Sequence, residues 1–172
     1  MAALEMTHCI VCGSELEMRY EEWEGMTPYC PHCQAFRYPV FNVACSMIVL
    51  DPAKERIVLI KQYGRDSNIL VAGYVMKGED AEFTAVREIR EELGVGVSEL
   101  RFNHSHYYAP TNTLMLNFTA VADSSDLHPN REIDHYQWFS LADARANIKP
   151  DSLAQSFLEG YFTKTWDFNY HN

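Results

Sequence analysis

Residues 73–95 read GYVMKGEDAEFTAVREIREELGV. The segment from Ala81 to Leu93 holds good helix formers and neither Pro nor Gly, so a helix is expected there. Asp80 stands at the N-cap position, and Gly94 stands where a helix ends in the left-handed conformation. At about 100° per residue, Val86, Ile89 and Leu93 share one face with Ala85 at its edge. Glu88, Glu91 and Glu92 are expected on the other side, at i, i+3 and i+4. Carboxylates that close repel one another by a few tenths of a kcal/mol per pair. A divalent cation reverses that cost, and Mg²⁺ is held by carboxylates, waters and substrate phosphates. The acidic face therefore reads as a hard-metal site for phosphate chemistry. Arg87, beside it, is placed to clamp the Glu79 region or to orient a metal-binding carboxylate. Gly73 ends the apolar run Ile69–Ala72, expected to be a buried strand, and lets backbone approach a substrate or turn sharply. Gly78 is expected in the turn before the helix.

With 172 residues, the chain suits one domain plus a small appendage. Its 47% hydrophobic and 13% aromatic content is enough for a packed core. No apolar run approaches the length of a membrane span, so none is expected. The start, MAALEMTHC, lacks the basic and apolar regions of a secretory signal, and a cytoplasmic location is expected. The net charge of −10 argues against broad electrostatic binding of nucleic acid while leaving a nucleotide ligand open. Six acids, Glu79, Asp80, Glu82, Glu88, Glu91 and Glu92, lie in or beside the segment quoted above, where metal would offset them.

Four of the five cysteines form two pairs, Cys9-x2-Cys12 and Cys30-x2-Cys33, separated by 17 residues. Paired knuckles at that spacing suit a tetrahedral Zn²⁺ held by four thiolates. Two disulfides or redox pairs are the alternative, which the absence of a secretory signal disfavours. His8 and His32 adjoin the ligands and read as bystanders, because four cysteines already fill the shell. Cys45, in the apolar run Val43–Leu50, reads as a buried core thiol.

Residues 1–38 read as a zinc ribbon whose folding energy would come from metal. Residues 39–172 read as a second domain, with the junction at Tyr38-Pro39. Strands are expected near 41–50, 56–62, 69–72, 100–108, 113–121 and 135–139. Helices are expected at 81–93, 141–147 and 152–163, with Ser140 and Ser152 capping the last two. The tail 164–172, with Trp166, Phe168 and Tyr170 in alternation, reads as padding for a subunit or domain surface.

The quoted segment resembles the Nudix box, GX5EX7REUXEEXGU with U a bulky aliphatic. Gly73, Glu79, Arg87, Glu88, Ile89, Glu91, Glu92, Gly94 and Val95 fill every fixed position. The resemblance implies an α/β fold, the Nudix α/β/α sandwich with a mixed β-sheet, here preceded by a small zinc ribbon. It also implies Mg²⁺ or Mn²⁺ at Glu79, Glu88, Glu91 and Glu92, with Arg87 among the catalytic residues. A ribbon before such a domain is similar to the NADH pyrophosphatases, which cleave dinucleotides between their two phosphates, and whose relatives remove NAD caps from RNA. That family carries an SQPWPFPxSLM segment; Ser105, Leu114 and Met115 match it here, and its Gln-Pro-Trp part does not. It usually has a further domain before the ribbon, whereas eight residues precede Cys9 here. By the same resemblance, Tyr74 would stack on a base or nicotinamide. Glu132, six residues before Trp138, would add a carboxylate to the metal site. Thr113, Met115 and Ala154 would lie near the substrate. The implied partner is a small dinucleotide, with NAD-capped RNA as an extension, and the implied assembly is a homodimer. The competing readings are a pyrophosphatase for ADP-ribose, FAD or another nucleotide, and a non-catalytic ligand sensor on the same fold.

Overall fold

The computed structural model describes residues 6–165, so the aromatic tail expected to pad a surface lies outside the described residues from Trp166 onward. The chain divides into two compact units. One comprises the residues up to Asn42 together with Tyr108–Thr113, and the other comprises Val43–Tyr107 and the residues from Leu114.

The first unit is built on a three-stranded antiparallel sheet of β1 (Glu17–Glu21), β2 (Gly25–Cys30) and β3 (Ala35–Phe36), in that order. Glu21 closes the β1–β2 hairpin by accepting from the backbone N–H groups of Trp23 and Glu24. Little of this sheet is buried, as Met18, Tyr20, Trp23 and Met26 are all exposed. So small a core needs another source of stability. None of these strands was expected from the sequence, because residues 17–36 show no sustained apolar alternation.

The second unit carries six strands and three helices. β4 (Asn42–Leu50), β5 (Arg56–Gln62), β6 (Val71–Tyr74), β7 (Val97–Tyr108), β8 (Thr113–Ala122) and β9 (Ile133–Ser140) form one mixed sheet. Its order is β7-β8-β4-β5-β9, with β6 also paired to β4. The helices are α1 (Ala81–Leu93), α2 (Leu141–Asn147) and α3 (Leu153–Thr163). Alternate residues along β4 and β5 serve opposite faces. Met47, Val49, Val58 and Ile60 pack with Ala85, Ile89 and Leu93 of α1. Ile48, Leu50, Ile57 and Leu59 pack with Ala144, Phe157 and Leu158 of α2 and α3. Burial on both faces explains why these strands read as continuous apolar runs.

The apolar run at Ile69 changes partner midway. Ile69 exchanges both backbone hydrogen bonds with Ile60, while Val71–Tyr74 pair with Ala44–Met47. β6 therefore begins two residues later than expected and extends through Gly73. Ser140 and Ser152 cap α2 and α3 through the backbone N–H groups of Asp143 and Gln155. Asp80 holds the N-cap position of α1 but makes no side-chain cap bond. Gly94 ends the helix at φ 66°, donating to the Arg90 carbonyl.

Two assignments on α1 need correction. Val86 is only half-buried and lies outside the core cluster. Glu92, expected on the polar side, is only 4% exposed. It stands seven residues after Ala85, close to two full turns, which brings it nearly back over that buried alanine. Among the described residues, no helix is long and apolar enough to cross a membrane.

The turn from β4 to β5 rests on Asp51, whose buried carboxylate accepts from the backbone N–H groups of Glu55 and Arg56 and from Arg56 Nε at 2.8 Å. Burial alone would raise this carboxyl, but the Arg56 guanidinium and the two N–H groups outweigh it and hold it below the usual range. Asp51→Ala is expected to cost about 2–3 kcal/mol, because it strands charged and backbone donors. A folded-state pKa lowered in this way gives stability that is complete above the ordinary carboxylate value, about 4, and is lost as pH falls below it. Urea melts at neutral and acidic pH check this: the gap between wild type and variant should shrink in acid.

Candidate active site and metal centre

The segment Gly73–Glu91 folds back on itself around one guanidinium. Arg87 grips Glu79 with two bonds, Nε to Oε1 at 2.8 Å and Nη2 to Oε2 at 2.9 Å. Its Nη1 donates to Glu88 Oε1 at 2.8 Å and to Glu91 Oε2 at 2.9 Å, and Nη2 also reaches the Tyr74 carbonyl. Paired bonds of this fork type are geometrically specific as well as strong. The Thr84 hydroxyl and the Met76 N–H donate to Glu79 as well. The Arg87 guanidinium first, with help from Thr84, holds the Glu79 carboxyl down to about 2.

Gly73 has a direct steric role. A Cβ added there would stand 2.0 Å from the Glu88 carboxyl carbon. Only glycine lets the Glu88 side chain lie across β6. On the neighbouring strand β4, Cys45 stands directly across from Gly73 and is fully buried, and its thiol approaches the Ala81 carbonyl at 3.3 Å. The core-thiol expectation thus agrees with its burial.

Glu92 is the unusual member. Its Oε2 and the neighbouring Gln62 Nε2 are buried without a hydrogen-bond partner. Burial first, and then the charges of Glu88, Glu132 and Glu91, push the Glu92 carboxyl up to about 7 against the opposing pull of the nearby Gln62 amide. A buried carboxylate among three others is costly unless a cation joins them. The orphaned oxygen and the all-oxygen donor set fit a hard divalent cation. Glu79, Glu88, Glu91, Glu92 and the β8–β9 loop acid Glu132 are the oxygen donors that could close around it, since among the described residues only the four cysteines already bring three or more ligand atoms within 4.8 Å of one another.

The other sequence-derived positions are distributed as follows. Tyr74 is exposed at the end of β6, one residue from Gly73. Glu132 lies within the electrostatic reach of Glu92. Met115 and Ala154 pack with the α2–α3 cluster, on the sheet face opposite α1. Thr113, at the start of β8, is buried, and its hydroxyl donates to the Thr111 carbonyl. A cavity of about 340 Å³, lined by residues including Lys54, Arg101, Phe102 and Tyr161, contains none of these carboxylates.

Sequence reasoning missed Tyr63. Its hydroxyl reaches Glu132 Oε2 at 3.5 Å. Desolvation around that hydroxyl, then the charges of Glu132, Glu92 and Glu88, raise the phenol. The available signal was the Tyr63-Gly64 pair, a turn dipeptide at the end of an apolar run.

In the first unit, the ligand sulfurs of Cys9, Cys12, Cys30 and Cys33 all lie within 4.8 Å of one another. Cys9 and Cys33 stand 4.0 Å apart, and Cys12 and Cys30 stand 3.5 Å apart, too far for disulfides. Four sulfurs each 2.3 Å from a tetrahedral centre would be about 3.8 Å apart, so the cluster fits zinc. The Cys9 carbonyl accepts from the Gly13 N–H, Cys33 N–H donates to Cys30 Sγ, and Arg37 Nε donates to Cys9 Sγ. Hydrogen bonding with Ser14, at its side chain and its backbone, brings the Cys12 thiol down to about 5.

The sequence model of the NUDIX domain matches residues 40–158, and the chain belongs to the Nudix family. Among curated proteins, it is 31% identical over 159 residues to the NAD-capped RNA hydrolase NudC of Pseudomonas aeruginosa, covering 91% of this chain and 55% of that one. It is 28% identical over 156 residues to the protein of the same name from Escherichia coli, covering 88% and 58%. The chain thus spans about half the length of the curated relatives it matches. Among solved structures, a NUDIX hydrolase from Nitrosomonas europaea shares the fold with a TM-score of 0.66 at 21% identity, covering 94% of this chain and 95% of that one.

Protein purified without chelator is expected to carry one zinc per chain by elemental analysis. Cys30→Ser should lose that zinc and lower Tm, because three ligands no longer close the shell. Wild-type protein free of zinc, or a Cys30→Ser variant that keeps it fully, would contradict the four-thiolate centre.

Proposed function

We propose that this chain is a divalent-metal-dependent hydrolase that cleaves the pyrophosphate bond of a nucleoside diphosphate derivative, with NADH or NAD as substrate and NMN(H) and AMP as products. The observation that carries the reading is the Arg87-centred carboxylate cluster pressed against Gly73. Beside it, Glu92 is buried with an unpaired carboxylate oxygen, a cost that packing of the helix alone does not require. The similarity to NAD-capped RNA hydrolases supports a nicotinamide dinucleotide. The net charge of −10 favours the free dinucleotide over a capped RNA, whose phosphate chain calls for basic surface.

In this reading, Glu79, Glu88, Glu91 and Glu92 hold the cation, and Glu132 adds a ligand from its loop. A divalent cation bound there supplies neutralisation of the phosphate oxygens and acidification of water. Water adds to phosphorus, the bond to the bridging oxygen breaks, and that oxygen leaves on the second phosphate. Glu91 or Glu92 takes the proton of the attacking water. Arg87 acts by fixing the spacing of Glu79, Glu88 and Glu91. Tyr74, beside Gly73, stacks on a ring of the substrate. Thr113, Met115 and Ala154 enter as substrate neighbours on family resemblance alone.

The test is a panel of NADH, NAD, ADP-ribose and FAD with Mg²⁺ or Mn²⁺, following AMP release as kcat/KM. Highest kcat/KM on NADH or NAD is expected; no metal-dependent release of AMP from any of them would sink the proposal.

Glu91→Gln and Glu92→Gln keep shape while removing a charge. Each should slow turnover by about 10³-fold or more with the fold intact. Near wild-type rates for both at saturating Mg²⁺ would remove the cluster from the chemistry.

Tyr74→Ala should raise KM for NADH by about tenfold, since stacking is worth about 0.5–1.5 kcal/mol beyond area burial. Tyr74→Phe should leave KM unchanged, and an unaltered KM in the alanine variant would make Tyr74 a bystander.

A further inference from the structure

Tyr63 occupies a backbone conformation that its residue type resists. Its φ is +56° and that of Gly64 is +67°, and the Arg65 N–H donates to the Gln62 carbonyl at 3.1 Å. This is a two-residue turn of type I′, which selects Asn, Asp or Gly at its first central position. A bulky side chain there costs about 1 kcal/mol or more. Core packing does not explain the choice, because Tyr63 is 69% exposed. Other bonds already hold the loop: the Gly64 N–H donates to Asp134 Oδ2 at 2.6 Å, Lys61 pairs with Asp66, and Ile60 pairs with Ile69. The directed contact of the phenol is with Glu132, at 3.5 Å. Glu132 is itself exposed on a loop, anchored at its own N–H by the Asn130 side chain. Among the described residues, the Tyr63 hydroxyl is the hydrogen-bond partner of its carboxylate.

We propose that Tyr63 is a positioning residue: its hydroxyl donates to the Glu132 carboxylate and aims that loop acid at the cation site formed with Glu88 and Glu92. The strain at Tyr63 persists because an asparagine or glycine there would satisfy the turn but leave Glu132 unguided. This inference rests on the proposed reading of the carboxylate cluster as a metal-dependent site. It adds a residue outside the Gly73–Val95 segment, on the hairpin loop between β5 and β6.

The experiment uses the full chain and three variants, Tyr63→Phe, Tyr63→Asn and Glu132→Gln, with Tyr63→Phe/Glu132→Gln as the double change. Three quantities are read: Tm of the cation-free protein, Mn²⁺ affinity by titration, and kcat and KM on NADH. Tyr63→Asn is expected to raise Tm by a few degrees, since it relieves the turn. Tyr63→Phe and Tyr63→Asn should both weaken Mn²⁺ binding and lower kcat, each by about five- to tenfold. The double variant should bind Mn²⁺ no more weakly than Glu132→Gln alone, because Tyr63 acts on the cation only through the Glu132 carboxylate, which that variant has already removed. The proposal is overturned if Tyr63→Asn lowers Tm, if Tyr63→Phe binds Mn²⁺ as wild type does, or if the two losses simply add. Wild-type protein that binds Mn²⁺ yet releases no AMP defeats the hydrolase reading instead, and the Tm and Mn²⁺ comparisons still decide the role of Tyr63.

Discussion

The geometry of the candidate site depends on one guanidinium shared among three carboxylates and a backbone carbonyl. Without Arg87, the loop acid Glu79 and the helix acids Glu88 and Glu91 would repel one another. With it, they converge on a common centre while Glu79 also secures Thr84 and Met76 at the start of α1. Lysine could not replace it, because a point charge lacks the planar fork that meets Glu79 with two bonds and still reaches Tyr74.

Around that centre, backbone and side chain fit at close quarters. Glu88 lies where any residue but glycine at position 73 would place its Cβ. The strand carrying Gly73 is fixed in turn by its pairing with Ala44–Met47 on β4, which is buried by packing on both faces. The chemistry of the helix and the packing of the sheet thus meet at one residue without a side chain.

Much of this was legible in the sequence because its signals are local. The helix Ala81–Leu93, the caps Ser140 and Ser152, and the paired cysteines each follow from neighbours within a few residues. Glu92 is hidden from a reading by residue type, because its charge suggests the polar side while its angular position lies almost over Ala85. The ribbon strands escaped notice because their stability does not come from apolar periodicity. Tyr63 escaped notice because its partner, Glu132, is distant in sequence and only the hairpin loop brings them together. Such pairings have no signature in a single chain read without its fold.

The bonds of Arg87 span 1, 4, 8 and 13 residues. Closing loops that short costs little entropy. The sheet that supports them is less local: β5 must find β9 across the whole middle of the chain, with Ile57 beside Phe139 and Arg56 beside Ser140. Long-range strand pairing is slow compared with local closure. During refolding, the strand–loop–helix around Arg87 can therefore take shape before the sheet is complete. The acquisition of β9 then sets the pace of folding, and with it the arrival of the Glu132 loop that precedes β9.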